Sequence, residues 1–323
     1  MDDSLENMIL VTGATGQIGS DLVPALQKRY GMERIISCGR NLPRSPMGRF
    51  EILDVTDRQS VLNTVSRHGV TTIYHLAGIL SAKGERHPED CWQVNIHGLR
   101  NILEAARVCR CRVFWPSSIA AFGPRTPKQN TPQEAVLDPV TLYGITKATG
   151  EYLCQYYFLR HGVDVRSLRF PGIISYRTHP GGGTTDYAVE IFHEALAQSR
   201  YHCFVRSDTR LPMLYMPDAL DSIFLLMKSD PACITVRTSY NVTGISFTVL
   251  QLAEEIRKHL PDFEIFFQPD DRQQIADSWP SVIDDSQARL DWGWRPSHDL
   301  AGLVKDMLSH LARRKARKGK KNE

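Results

Sequence analysis

The stretch MILVTGATGQIG, Met8 to Gly19, decides the fold of this chain. It joins a short apolar run to three glycines at the spacing G-x-x-G-x-x-G, which are Gly13, Gly16 and Gly19. The residues that follow, Ile18–Arg29, have the apolar period of a helix. Glycines permit a tight turn and close approach of the backbone to a ligand, and a helix N-terminus attracts a pyrophosphate. Strand, glycine turn and helix in this order predict a dinucleotide-binding unit.

Apolar runs and helix-period stretches alternate from this unit as far as Phe170. The predicted strands are Met8–Thr12, Arg34–Cys38, Thr72–Leu76, Arg112–Pro116 and Val163–Phe170. The predicted helices after the first are Ser60–His68, Asp90–Val108 and Thr146–His161. Such alternation predicts an α/β fold, a Rossmann-type doubly wound parallel sheet with helices on both faces.

After Pro171 the pattern loosens, and prolines and glycines cluster as far as Gly183. The elements predicted beyond are the helices Asp186–Gln198, Asp218–Lys228 and Thr248–Leu260, a turn at Leu211-Pro212 and a strand at Ser239–Val242. We expect a dinucleotide-binding Rossmann domain over residues 1–171, to which some later segments return. A smaller α/β substrate-binding region over residues 172–312 is expected to close over the carboxyl ends of the strands, where open α/β sheets bind ligands.

Charge and composition narrow the classes of partner. The formal net charge is +3, but residues 313–323 contain seven basic residues and one acidic residue, which leaves −3 for the remainder. A nucleic-acid-binding tail is one interpretation of this segment, but we favour a basic, disordered, solvated tail. Nothing else in the chain forms a basic stripe. No apolar run approaches the roughly 20 residues of a membrane span. We therefore expect neither a nucleic acid nor a membrane as partner.

The N-terminus and the cysteines bear on the compartment. Met1-Asp2-Asp3-Ser4 has the features of neither a signal peptide nor a transit peptide. Seven cysteines without metal-ligand spacing favour reduced, intracellular thiols. His68, His75 and His97 are too scattered to form a ligand set, so no metal site is expected.

A second glycine-rich stretch, PGGGTTDYA, spans Pro180 to Ala188. Glycine-rich turns expose backbone N–H groups to anions, which makes a phosphate cradle the first interpretation. The phosphates already have a site at the first glycine turn, so this loop is free for another ligand. Asp186 or Thr185 as N-cap of the following helix is the structural alternative.

Tyr143 and Lys147 stand four residues apart on one predicted helical face. A free tyrosine is a poor base at neutral pH, because its pKa is about 10. A neighbouring ammonium, helped by the positive charge of an oxidised nicotinamide, favours the phenolate. Ser118, at the end of a predicted strand, is placed to hydrogen-bond the same substrate oxygen.

These residues resemble the extended short-chain dehydrogenase/reductase superfamily, which also contains sugar-nucleotide epimerases and dehydratases. The matching positions cover nearly the whole chain and are Thr12–Gly19, Asp54-Val55, His75–Gly78, Asn95, Ser118, Tyr143, Lys147 and Phe170–Ile173. The resemblance implies that Ser118, Tyr143 and Lys147 catalyse proton transfer while a hydride passes to or from a nicotinamide. It implies a cofactor site made of Gly13, Gly16, Gln17, Ile18, Cys38, Arg40, Asp54, Val55, Leu76, Ala77, Gly78, Asn95, Tyr143, Lys147 and Ile173.

A longer, ordered set of stretches is similar to the short-chain type of L-threonine 3-dehydrogenases. These stretches are Leu80–Ala82, Pro116–Gly123, Pro171–Ser175, Pro180–Ala188, Leu211–Met213, Ser278–Pro280 and Asp284–Ser286. This resemblance implies oxidation of L-threonine to 2-amino-3-ketobutyrate with NAD, in threonine catabolism, by a homodimer. It implies a mitochondrial location in a eukaryote and a cytoplasmic one otherwise. It implies a substrate site made of Ser81, Ser118, Tyr143, Thr184, Thr185, Asp186 and Trp279.

The chemistry of the loop suits a zwitterion. Asp186 is able to pair with the substrate ammonium, while loop N–H groups and threonine hydroxyls are able to bind the carboxylate.

One departure from the superfamily pattern concerns the cofactor. Where the superfamily usually has an acidic residue for the adenosine ribose, this chain reads Ser37-Cys38-Gly39-Arg40. We keep NAD, with NADP as the alternative because Arg40 is able to meet a 2′-phosphate.

Two other functions stay open at this point. A sugar-nucleotide epimerase or dehydratase shares the serine, tyrosine and lysine. The epimerase needs a basic clamp for a diphosphate, for which Arg177, Arg206 and Arg210 are the candidates, and the dehydratase wants an acidic residue where Ile119 stands. The alternative from another class is a scaffold that binds NAD(P) without turnover. Such a scaffold often lacks the tyrosine or the lysine, and both are present here.

Overall fold

The computed structural model describes residues 8–43 and 45–319. Within these residues the strands are β1 (Met8–Thr12), β2 (Ile35–Gly39), β3 (Arg49–Ile52), β4 (Val70–His75), β5 (Arg112–Ser118), β6 (Val165–Phe170), β7 (Gly172–Ile174), β8 (Arg200–Cys203), β9 (Arg210–Tyr215), β10 (Tyr240–Asn241), β11 (Ile245–Thr248) and β12 (Glu264–Phe267).

The helices are α1 (Gln17–Tyr30), α2 (Arg58–Arg67), α3 (Ser81–Arg86), α4 (Pro88–Trp92), α5 (Gly98–Cys109), α6 (Leu142–His161), α7 (Tyr187–Gln198), α8 (Met216–Lys228), α9 (Val249–Arg257), α10 (Arg272–Ser278), α11 (Ser286–Trp292) and α12 (Leu300–Gly319). A π-helical turn, Gln93–His97, joins α4 to α5.

Seven strands form one parallel sheet in the order β10-β6-β5-β4-β1-β2-β3. The chain moves outward from β1 to β3 and then returns to β4 on the other side of β1. The order of the strands therefore reverses between β1 and β4, and ligands of such sheets bind outside the carboxyl ends of the strands at this point. The predicted Rossmann-type α/β fold is confirmed.

Helices cover both faces of this sheet. Leu22 of α1 and Ile223 of α8 pack on one face, and Leu103 of α5 packs on the other. Within β1, Val11 belongs to the first layer and Leu10 to the second. Because both faces are buried, the strand reads as a continuous apolar run rather than an alternating one.

The later part of the chain builds a smaller region and also returns to the sheet. Strands β7, β9 and β11 form a three-stranded sheet, and β8 pairs with β12. Helices α7, α9 and α12 enclose a separate core around side chains such as Phe192, Leu252 and Met307. Strand β10 and helices α8 and α11 instead pack with the Rossmann sheet.

The predicted turn at Leu211-Pro212 is wrong, because both residues lie in β9. Pro212 pairs with Ser246 of β11, while β7 pairs only with Met213 and the two residues after it. Pro212 therefore lies where β9 has a neighbour on one side only. A proline lacks the N–H that a second neighbour would need, and such a position tolerates it.

Helix α12 runs to Gly319 and so enters the segment 313–323 that we expected to be a disordered tail. Lys315 donates from Nζ to the carbonyl oxygen of Leu196 at 2.9 Å, and Arg314 donates to the carbonyl oxygen of Tyr176. Basic side chains at the start of this segment thus contact the smaller region of the later chain. Lys320 to Glu323 lie outside the described residues.

None of the described helices combines the length and the apolar character that a membrane crossing requires.

Candidate active site

Two adjoining cavities lie at the carboxyl ends of the parallel strands. The first has a volume of about 260 Å³, and among the predicted site residues it is lined by Gly13, Gly16, Arg40, Asp54, Val55, Leu76, Ala77 and Gly78. The second has a volume of about 160 Å³ and is lined by Gln17, Ile18, Leu76, Gly78, Ser81, Ser118, Tyr143, Lys147, Ile173, Thr184, Thr185, Asp186 and Trp279. Since Leu76 and Gly78 line both, the two cavities form one cleft.

The first glycine turn fits a pyrophosphate. Gly13 has a φ of +66°, and a Cβ on it would lie 2.6 Å from the backbone nitrogen of Ala77 at the end of β4. Only glycine combines this conformation with so close an approach. Gly16 is the N-cap of α1 and places no side chain on the amides of the first turn. Those amides and the positive end of the helix dipole therefore remain available to an anion.

The end of the first cavity next to β2 departs from the sequence expectation. The thiol of Cys38 is fully buried in the sheet core, burial raises its pKa to about 12, and the residue lines neither cavity. Gly39, Arg40 and Asn41 line the cavity instead. The Cys38 thiol therefore faces the sheet core, and the carbonyl oxygen of Cys38 accepts from the N–H of Ala14 in the glycine turn at 3.1 Å.

Asn95 lies in the π-helical turn and also lines neither cavity. Its Oδ1 accepts from the N–H of Ile79 at 2.8 Å, and its Nδ2 donates to the carbonyl oxygen of Ile79 at 3.1 Å and to Oγ1 of Thr146 at 3.0 Å. The π-helical turn thus aims an amide at the loop after β4 and at α6. Asn95 thus links the loop after β4 to the helix that carries Tyr143 and Lys147.

Ser118, Tyr143 and Lys147 come together in the second cavity. Ser118 is the last residue of β5, and its hydroxyl lies near enough to Tyr143, in the first turn of α6, to lower the pKa of that phenol. Lys147 lies one turn further along α6 and is 8% exposed. Its Nζ donates to the carbonyl oxygen of Pro116 at 2.7 Å and lies 4.7 Å from the ring centroid of Trp115.

Burial dominates the pKa values of the two ionisable groups. Burial raises the pKa of Tyr143 to about 12, against the lowering effect of the Ser118 hydrogen bond. Burial lowers the pKa of Lys147 to about 8, although Cys154, Cys91 and Glu151 favour its charged form. The expectation that the lysine ammonium and an oxidised nicotinamide together favour the phenolate stays a prediction. At neutral pH the phenol keeps its proton until a further positive charge arrives.

A buried ionic network behind Lys147 was missed from the sequence. Glu151, one turn beyond Lys147 on α6, is 0% exposed and pairs with Arg169 of β6 at 2.7 Å. It also accepts from the hydroxyl of Ser117 at 2.6 Å. The spacing of Tyr143, Lys147 and Glu151, four residues apart each time, was the available signal. The network ties the end of β5 to the helix that carries the reactive side chains.

The triglycine loop, Pro180 to Ala188, folds around the carboxylate of Asp186. The N–H groups of Gly182 and Gly183 both donate to Oδ2 of Asp186 at 2.7 Å. Asp186 occupies the N-cap position of α7, yet its side chain caps none of the helix amides. The cradle therefore holds a carboxylate of the protein, and the expected N-cap position of Asp186 is confirmed, without a hydrogen bond from the helix amides to its side chain. Burial raises the pKa of this carboxyl and the glycine amides lower it.

Thr184 differs from its neighbours in having an unused hydroxyl. The residue is 1% exposed, and its Oγ1 has no hydrogen-bond partner among the described residues. Thr185 instead packs its side chain against Gly172, where an added Cβ would lie 2.8 Å from the threonine Cβ. A buried hydroxyl without a partner costs stability, so a ligand that fills the cavity is its natural partner.

Trp279 and Ser81 complete the walls of the second cavity, and both are buried. Trp279 follows directly on α10, whose last carbonyl, that of Ser278, accepts a hydrogen bond from Nζ of Lys128. Ser81 is the first residue of α3. The cavity thus receives side chains from both parts of the chain.

The three arginines considered for a diphosphate clamp are engaged elsewhere. Arg177 pairs with Asp21 at 2.7 Å and Arg206 pairs with Asp277 at 2.8 Å. Arg210 donates to the carbonyl oxygen of Ser246 at 2.9 Å. None of the three lines either cavity. In residues 8–43 and 45–319, no three His, Cys, Asp or Glu side chains come together as a metal site would require.

Comparison with known proteins agrees with this geometry. The model of the NAD dependent epimerase/dehydratase family matches residues 9–242. An uncharacterised epimerase/dehydratase of Staphylococcus haemolyticus is 45% identical over 315 residues, which cover 96% of this chain and 99% of that protein.

Two solved structures are similar over nearly their whole length. The L-threonine dehydrogenase from Phytophthora infestans is 46% identical, with a TM-score of 0.94 over 95% of this chain and 100% of that one. The holo form of an L-threonine dehydrogenase from Cupriavidus necator is 50% identical, with a TM-score of 0.92 over 94% of this chain and 99% of that one. The chain therefore belongs to the NAD dependent epimerase/dehydratase family, the extended short-chain dehydrogenases/reductases.

Proposed function

We propose that this enzyme oxidises L-threonine at Cβ to 2-amino-3-ketobutyrate with transfer of the hydride to NAD. The observation that carries the proposal is a single cavity in which Tyr143, Lys147 and Ser118 face Thr184 and Asp186. The names of the similar solved structures, L-threonine dehydrogenases, support this choice of substrate. The curated relative is named only as an epimerase/dehydratase, so the substrate is our inference.

When bound, the oxidised dinucleotide supplies the hydride acceptor and a positive charge. Tyr143 Oη takes the proton of the β-hydroxyl, and the hydroxyl of Ser118 orients the substrate oxygen. Lys147 stabilises the phenolate through its ammonium, which lies 5.5 Å from the centroid of the tyrosine ring. Since burial dominates and the pKa of Tyr143 is raised to about 12, proton removal needs both positive charges.

The two ends of the amino acid meet different groups of the triglycine loop, which we call the substrate loop from here on. The two glycine amides bind Oδ2 of Asp186 and hold this carboxylate in place, and the substrate ammonium approaches Oδ1. The unused hydroxyl of Thr184 donates to the substrate carboxylate. The sequence offered loop N–H groups as donors to the substrate carboxylate. Because the amides of Gly182 and Gly183 donate to Asp186 instead, we leave them out of that role. Trp279 and Ser81 close the cavity around the substrate.

NAD is our choice of cofactor, held by the first glycine turn, by Asp54 and Val55 and by the loop Leu76–Gly78. The ribose end has Gly39, Arg40 and Asn41 in the cavity lining. The family description and the similar dehydrogenases support a nicotinamide cofactor. If NADP is preferred instead, Arg40 is the residue that meets the 2′-phosphate.

We also infer a homodimer, because the predicted helices Asp90–Val108 and Thr146–His161 resemble the pair that forms the family's four-helix dimer interface. In the structure α5 and α6 cover most of these two stretches. Helix α6 leaves Tyr152, Tyr156 and Leu159 exposed at 58%, 51% and 68%. Light scattering coupled to gel filtration tests it, and a mass of one chain at micromolar concentration contradicts it. One similar solved structure is a monomeric L-threonine 3-dehydrogenase, so the fold is also compatible with a monomer.

Initial rates of NADH formation test the proposed reaction. L-Threonine is offered with NAD and, separately, with NADP, and Tyr143→Phe serves as the inactive control. We expect NADH from L-threonine and NAD with the wild type alone. Turnover of a UDP-sugar without turnover of L-threonine would replace the proposal by a sugar-nucleotide enzyme. Tight NADH binding without turnover of any hydroxy amino acid would favour the non-catalytic scaffold.

A further inference from the structure

Helix α1 contacts the chain that leads into the substrate loop. We call residues 173–177 the bridge segment, because it joins Ile173 in the cavity wall to the triglycine loop. Nε2 of Gln17 donates to the carbonyl oxygen of Ile173 at 3.0 Å and to Oγ of Ser175 at 3.2 Å. One turn along the same face of α1, Oδ1 of Asp21 pairs with Nε of Arg177 at 2.7 Å.

The bridge segment is also held from its other side. Tyr176 stacks on His310 of α12 with the ring centroids 4.0 Å apart, and its carbonyl oxygen accepts from Arg314. Beyond Arg177 the chain continues into Thr184 and Asp186, the groups we assign to the amino acid. A displacement of the bridge segment relative to α1 would therefore move these groups relative to the cofactor site.

Asp21 is an unusual residue for a purely structural contact. It is 8% exposed, and its Oδ2 has no hydrogen-bond partner among the described residues. Burial raises the pKa of this carboxyl to about 6, although Arg177 and Arg314 lower it. An incompletely paired buried carboxylate is a poor source of stability, because its desolvation offsets the attraction of its partner. Such a group is retained more readily where it fixes a position.

We propose that Gln17 and Asp21 are positioning residues that couple helix α1 to the substrate loop, so that bound dinucleotide raises the affinity for L-threonine. The first turn of α1, which fits a pyrophosphate, carries Gln17, and the next turn carries Asp21. The side chains of these two residues hold the bridge segment. Linkage is reciprocal, so L-threonine also raises the affinity for the dinucleotide. The identity of the amino acid in this statement rests on the proposed function.

The variants Asp21→Asn and Arg177→Met and their combination test the proposal. We expect the KM for L-threonine to rise about fivefold or more in each variant, within the usual range of coupling between sites. The kcat should change by less than about threefold, and the double variant should resemble the single ones because one pair is lost in all three. The control is Arg67→Met, which removes an arginine from an exposed pair with Glu51 at 2.6 Å, outside α1 and the bridge segment.

Tryptic cleavage after Arg177 gives a readout that needs no turnover. In the wild type we expect bound NADH to slow this cleavage, with the site identified by mass spectrometry. In Asp21→Asn we expect faster cleavage and a loss of the NADH effect, while the Kd for NADH, measured by energy transfer from tryptophan, stays within about twofold.

The outcomes separate this proposal from the proposed function. Unchanged KM and unchanged protection in Asp21→Asn, with only a lower Tm, would show a structural contact and overturn the positioning role. Absence of L-threonine turnover in the wild type together with NADH protection that depends on Asp21 would overturn the substrate and leave the linkage standing.

Discussion

Replacing Lys147 by methionine should abolish turnover and make the folded chain more stable at neutral pH. Burial lowers the pKa of this lysine from 10.5 to about 8. Each unit of pKa corresponds to about 1.36 kcal/mol, so keeping the charged form in the folded chain costs about 3 kcal/mol. Methionine has a similar shape and no charge. It loses the hydrogen bond to the carbonyl oxygen of Pro116, which contributes about 1 kcal/mol. The net expectation is a gain of about 2 kcal/mol at pH 7.

The pH dependence gives the prediction its sign. Because the folded pKa lies below the unfolded one, the unfolded chain binds more protons between pH 8 and 10.5. The penalty for the charge is therefore complete below about pH 8 and fades as the pH approaches 10.5. Above that pH the neutral amine still donates to Pro116, so the methionine variant should be the less stable by about 1 kcal/mol. The difference between the two chains is expected to change sign.

Urea denaturation at pH 7 and at pH 10.5 measures this difference. Lys28→Met is the control, because Lys28 is exposed on α1 and its replacement should leave the free energy of unfolding nearly unchanged at both pH values. A methionine variant that is less stable than the wild type at pH 7 would refute the reasoning. So would a difference that stays constant between the two pH values.

Three further substitutions follow from the same geometry. Tyr143→Phe should lower kcat by about 10³, as expected for loss of a general base, with the Kd for NADH unchanged; a variant that keeps a tenth of the wild-type rate would contradict the role. Thr184→Val should raise the KM for L-threonine about tenfold without loss of stability in urea, because the hydroxyl has no partner in the protein; a clear destabilisation would contradict this. Gly13→Ala should destabilise the fold and weaken NADH binding. The control is Gly162→Ala, at a similar φ of +68°, where beyond the two chain neighbours no described residue comes within 4 Å of the added Cβ. It should cost only about 1 kcal/mol and leave binding intact. Equal NADH affinities in the two glycine variants would count against the close approach at Gly13.

The sheet was predictable because its strands carry strong local signals. Parallel strands buried on both faces read as apolar runs between helices, and β1, β4 and β5 were placed to within two residues at each end. The small strands β8 and β12 carry no such signal. Their partners are distant in sequence, and exposed Phe266 and Phe267 show that burial does not mark β12. Pro212 was assigned to a turn for a related reason. Its local preference for turns is outweighed here, because β9 has a neighbouring strand on one side only at this position and the missing N–H costs no hydrogen bond.

The site was predictable where a residue type and its spacing carry the chemistry. Ser118, Tyr143 and Lys147 are separated in sequence but end on β5 and α6 at one cavity. What a sequence does not contain is the direction of a side chain. Cys38 therefore turned out to face the core, and the carboxylate of Asp186 turned back to its own loop. The contact of Gln17 with Ile173 joins residues that only the fold brings together.

The most direct test of the central claim is the fate of the hydrogen on Cβ of the substrate. L-Threonine carrying deuterium at Cβ is incubated with the enzyme and NAD, and the reduced cofactor is analysed by NMR. The account predicts NADH that carries one deuterium at C4 of the nicotinamide, formed in step with 2-amino-3-ketobutyrate. Reduced cofactor without deuterium, or no reduced cofactor from L-threonine at all, would contradict it.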